Sequence, residues 1–128
     1  LKKKSPILVF VLVVFLTSCS VSIDSTEFNS QIASRTDINS PEELMRLYYG
    51  PYELEGNSKL TITTKTSGEN KFEITLIHNG LADDSVSDIR IVMKATRTNQ
   101  TWTVLSIQKS WKCHEGRGNS YWGATKCS

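Results

Sequence analysis

The sequence has 128 residues and a formal charge of +2, with 38% hydrophobic and 22% charged residues, which suits one globular domain. The positive excess belongs to Lys2, Lys3 and Lys4; beyond residue 18, 12 Lys and Arg face 13 Asp and Glu, a net charge of about −1. That balance gives no electrostatic case for nucleic-acid binding, which needs a concentrated basic face.

The three lysines precede Ile7 to Leu16, an unbroken run of ten apolar residues. A bilayer-spanning helix needs roughly 20 such residues, so the run fits the apolar core of a secretory signal. Leu16-Thr17-Ser18-Cys19 follows, and no acidic residue occurs before Asp24. This stretch resembles the lipobox of bacterial lipoproteins, in which small side chains admit the peptidase and the cysteine thiol accepts diacylglycerol. The resemblance implies that residues 1–18 are a signal peptide and that Cys19 becomes an acylated N-terminus. It also implies an anchor of three chains, far more durable than a single acyl chain. By the Gram-negative sorting pattern, Ser20 in place of Asp points to the outer membrane, with the domain facing the periplasm. Leu1 stands where an initiator methionine is expected, which points to an alternative or misassigned start.

Three cysteines are an odd number for an exported chain. Acylation of Cys19 leaves Cys113 and Cys127, which pair in an oxidising compartment and constrain the unfolded chain by about 3 kcal/mol. The competing reading, a zinc site from Cys113, His114 and Cys127, lacks a fourth ligand and any CxxC spacing. No metal or other cofactor is expected.

Residues 19–35, rich in Ser, Thr, Asn and Gln, read as a flexible tether in which Phe28 and Ile32 give only a faint helical spacing. The domain is expected over 36–128. Ser40-Pro41-Glu42-Glu43 predicts a helix start: Ser40 as N-cap, Pro41 in the first turn and Glu43 closing a capping box. Leu44, Leu47 and Tyr48 fall on one face, and Gly50-Pro51 ends the helix. Tyr48, Tyr49 and Tyr52 suit either a binding groove or the sealing of a core edge; the sealing role is preferred.

Beyond Pro51 the period becomes two. Leu60 and Ile62, then Phe72, Ile74 and Leu76, then Ile89, Ile91 and Met93 mark three strands. A fourth carries Trp102 and Val104 on one face with Leu105 and Ile107 on the other. The expected fold is α+β: one N-terminal helix on a four-stranded antiparallel meander, with a C-terminal disulfide-closed loop. The element order resembles the cystatin-like and NTF2-like group, a likeness that carries no function.

Trp111-Lys112-Cys113-His114-Glu115-Gly116-Arg117-Gly118, followed by Tyr121, Trp122 and Cys127, is similar to the tail of small exported bacterial proteins of uncharacterised role. That likeness implies a shared disulfide loop and no activity. His114, Arg117, Tyr121 and Trp122 are candidates for a recognition loop toward an envelope protein or a glycan. The other reading, which is preferred, has Arg117 anchor the loop while the aromatics cap the core. Isolated His78 and His114 offer weak support for acid–base work, no G-x-S-x-G occurs, and Asp83, Asp84 and Asp88 miss the spacing of a calcium loop. The expected function is therefore a non-enzymatic binding module on a lipid anchor. The alternatives are a small-ligand or substrate pocket, possibly enzymatic, and a purely structural envelope lipoprotein.

Overall fold

A computed structural model describes Lys3 and residues 19–51 and 56–128. Apart from Lys3, the expected signal peptide, including Leu16, Thr17 and Ser18, lies outside the described residues, as does Tyr52. The elements are β1 (Val21–Ile23), α1 (Thr26–Ile32), α2 (Pro41–Tyr49), β2 (Lys59–Thr66), β3 (Lys71–Asn79), β4 (Val86–Thr98) and β5 (Thr101–Cys113). The five strands form one antiparallel sheet in the order β1-β5-β4-β3-β2. Relative to the expected single helix on four strands, one strand and one helix are added. Both come from the segment read as a tether: β1 joins the edge of β5, and α1 buries Phe28 and Ile32.

The helix start at α2 follows its sequence signals. Ser40 Oγ accepts from the Glu43 N–H at 3.1 Å, and the Glu43 carboxylate accepts from the Asn39 N–H at 2.8 Å. Gly50, at φ +87°, ends the helix with its N–H on the Arg46 carbonyl. The buried face is not the one expected. Leu44 and Met45 are fully buried, Tyr48 is half-buried, and Leu47 is 41% exposed. The helix meets β2 and β3 on one side, while Tyr48 packs edge-on against Phe28 of α1 at 5.2 Å. The apolar stripe therefore turns toward α1, away from Leu47.

One sheet face carries Ile74, Leu76, Ile91, Met93, Val104 and Ile107, all buried beneath the helices. Alternation would put Ile107 opposite Trp102 and Val104. The register explains why it does not: Lys94 pairs with Ser106 and Ala95 with Val104, leaving Leu105 as the extra residue of a bulge. The bulge resets the phase, so Leu105 is 58% exposed and Ile107 is buried. Trp102 is fixed by its indole N–H on the Ile38 carbonyl at 2.8 Å and by Phe72 at 5.3 Å. The tight β4–β5 turn uses Asn99 and Gln100, both at positive φ, the backbone that matches the twist of adjoining strands.

The outer edge of β5 is covered by three successive devices. At Val104 the Asn29 side chain imitates a neighbouring strand, accepting from its N–H at 2.7 Å and donating to its carbonyl at 2.8 Å. Val21–Ile23 pairs with residues 107–109, and Gly123 forms a two-way backbone pair with Trp111 at 2.9 Å. An edge satisfied in this way presents few open donors and acceptors to another chain.

Candidate functional site: the disulfide loop and the end of the sheet

Strand β5 runs directly into the loop, and the Gly123 pair turns the chain back along its edge. Cys113 and Cys127 close the loop with a disulfide, Cα atoms 5.6 Å apart, as the cysteine count implied. Inside it, the Cys113 N–H donates to the Asn119 carbonyl at 2.8 Å. The Asn119 amide donates to the carbonyls of Trp111 at 3.0 Å and Tyr121 at 2.7 Å. Gly118 sits at φ +146°, and a Cβ there would lie 2.8 Å from the Cys113 sulfur, so only glycine fits.

The four loop candidates do different work. Arg117 donates to the Ser128 carbonyl at 3.3 Å, and its own carbonyl accepts from the Ser128 hydroxyl at 3.1 Å, so it ties the tail to the loop. Trp122 is half-buried with Arg90 4.9 Å and Lys112 4.6 Å from its ring centre, two cations on one aromatic face system. Arg90 in turn donates to the buried Ser110 hydroxyl at 3.2 Å. His114 is half-buried, its N–H on the Ser85 carbonyl at 2.8 Å. Tyr121 projects outward, 82% exposed, and Arg117 is exposed as well. The loop is thus anchored by Arg117 and Trp122 and presents Tyr121. Arg90 and Asn119, which hold this arrangement, carry no motif of their own and were not anticipated.

Below the Gly123 pair, Trp111 donates its indole N–H to the Thr125 carbonyl at 2.9 Å. Its ring forms a wall of two adjoining clefts. One of about 330 Å³ lies among Ser85, Val86, Ala124, Lys126 and Cys127; the other, of about 220 Å³, lies among Val86, Ile89 and Lys109. Cys19 is exposed and takes no part in the disulfide. It lies two residues before Val21, which pairs with Lys109, and Ser20 donates to the Gln108 side chain at 3.0 Å. Cys19 therefore leaves the domain at the same end as the disulfide loop.

A third cleft, of about 330 Å³, lies among Ile23, Asp24, Glu27, Phe28, Gln31 and Tyr48. Beneath the helices, by contrast, Leu44, Ile74, Leu76 and Met93 are fully buried. Asp83 spends one carboxylate oxygen on the N–H groups of Ser85 and Val86 at 2.8 Å, which holds its carboxyl below the ordinary aspartate range. Asp88 accepts from the Gly80 N–H and the Asn79 amide. These acids build turns, and among the described residues no group of three or more His, Cys, Asp or Glu is placed to hold a metal ion.

His78 is buried where β3 meets the end of α2, sharing a 2.7 Å hydrogen bond with the Tyr49 hydroxyl. Tyr49 thus seals a core edge. Burial lowers the imidazole's proton affinity, and Asp88 only partly opposes that effect. The unfolded chain, with an ordinary histidine near about pH 6.5, binds the proton more readily than the fold. Stability is therefore complete above that value and falls as the pH drops toward the lower folded value. Urea unfolding at about pH 7.5 and about pH 5 should show this loss, and His78→Gln should shrink the difference between the two conditions. An unchanged difference in the variant would assign the acid sensitivity to the carboxylates instead.

No protein-family model matches the chain, and no curated protein and no solved structure shows significant similarity to it.

Proposed function

We propose that this chain is a bacterial envelope lipoprotein, acylated at Cys19, whose domain faces the periplasm and acts by binding from its lipid anchor. The observation that carries the reading is the division of labour among three cysteines. Two close the C-terminal loop, and the third is exposed and ends a lipobox-like sequence. Ser20 favours the outer membrane under the Gram-negative sorting pattern. The disulfide loop supplies the recognition element, with Tyr121 exposed and Trp122 and Arg117 holding it in place. A packed interior under the helices favours a surface of this kind over an enclosed ligand pocket.

The test is the mass of the exported protein. Its N-terminal peptide is expected to begin at residue 19 and to carry acyl groups, and the protein is expected in the membrane fraction. Cys19→Ser should abolish acylation and maturation at that site. An exported form with an unmodified Cys19 sulfur would remove the lipoprotein reading.

A further inference from the structure

We infer that the partner of the disulfide loop is the phospholipid headgroup layer itself, so that the domain lies directly on the bilayer with this end of the sheet against it. The inference rests on acylation of Cys19 as proposed above, and names what the loop then meets. The decisive observation is that no tether separates the anchor from the fold. Ser20 is already bonded to Gln108, and Val21 is in the ladder with Lys109. An extended chain spans at most about 3.6 Å per residue, so Cys19 stays within about 7 Å of the sheet. Acyl chains attached there must enter the hydrocarbon, and the surface around Cys19 is drawn to the headgroups.

That surface has the chemistry of an interface. β1 and Gly123 occupy successive positions on one edge of β5, which places the start of β1 beside the loop. At this end of the sheet Trp111, on the face of β5 that carries Ile107, and Trp122, against Arg90 and Lys112 of the other face, are half-buried and Tyr121 is largely exposed, aromatic groups with an apolar body and a polar edge that favour headgroup depth. Lys109, Lys112, Arg117 and Lys126 can carry their charges to phosphates while their stems lie along apolar surface. Asp83, Asp84 and Glu115 are exposed on neighbouring turns and offset most of this charge. Docking is therefore driven by the anchor's geometry and the aromatics, with weak dependence on salt. Trp102, 2% exposed at the far end of the sheet, is an internal control.

The experiment uses the acylated protein in vesicles of phosphatidylethanolamine and phosphatidylglycerol whose acyl chains are brominated near the headgroup. Tryptophan emission is expected to be quenched relative to unbrominated vesicles. Trp111→Phe and Trp122→Phe should each reduce that quenching, and the double variant, retaining only Trp102, should lose it by about twofold or more. Circular dichroism of the same samples establishes that the variants are folded. Acylated, folded protein whose emission is not quenched would overturn the docking and leave the lipoprotein reading intact. Protein found unacylated by mass would overturn both.

Discussion

Ile32→Ala is expected to destabilise the domain by about 2–5 kcal/mol, read as a lower urea midpoint with little change in slope. Ile32 is fully buried at the end of α1, in one cluster with Phe28, Leu44, Met93 and Trp102. Removing its branched side chain takes apolar area from the core and leaves a space that backbone elements on several sides cannot close. The substitution also separates two pictures of residues 19–35. In a flexible tether the same change would cost nothing measurable, because no packed neighbour would register the loss. A midpoint within error of the unsubstituted protein would mean that α1 does not pack as described. Hydrogen exchange adds a second readout: α1 amides should be protected in the parent and less so in the variant.

The contrast at Ile32 shows where the sequence was readable and where it was not. Helix α2 and strands β2 to β5 were legible because each carries a strong local signal: a capping box, then alternation interrupted by turn residues. β1 is only three residues long, and α1 has two buried residues in seven, so neither produces a periodic pattern. Their stability comes from partners distant in sequence, such as the Asn29 side chain on Val104 and Val21 on Lys109. Long-range satisfaction of this kind leaves a polar segment looking like a linker. The phase error at Ile107 has the same origin, since a single extra residue at Leu105 cannot be seen without the paired strand. At the candidate site, cysteine arithmetic was enough to predict the disulfide. The roles of the loop side chains were not separable, because Arg117, Tyr121 and Trp122 differ in their contacts only once Arg90, Lys112 and Ser128 are brought beside them.

Cys113→Ala together with Cys127→Ala is expected to lower stability by about 3 kcal/mol, the unfolded-chain entropy released when a loop of this size is opened. The two cysteines are 14 positions apart, and both are buried, so the bond restrains the unfolded state while its sulfurs fill space in the folded one. Opposing a full loss are the loop's own hydrogen bonds: the Trp111–Gly123 pair, the Asn119 amide on two carbonyls and the Cys113 N–H on Asn119. Urea unfolding measures the balance, and hydrogen exchange at Trp111 and Gly123 tells whether the tail opens on its own. A loss below about 1 kcal/mol with those amides still protected would mean that the backbone bonds alone hold the loop. With the expected loss, the tail frays in the variant, Trp122 leaves Arg90 and Lys112, and Tyr121 is no longer presented from a fixed base. Under that outcome bilayer docking should weaken in the acylated double variant even though Cys19 and its lipid are untouched, because the anchor fixes only the position of the domain. Its orientation depends on the stapled aromatic surface.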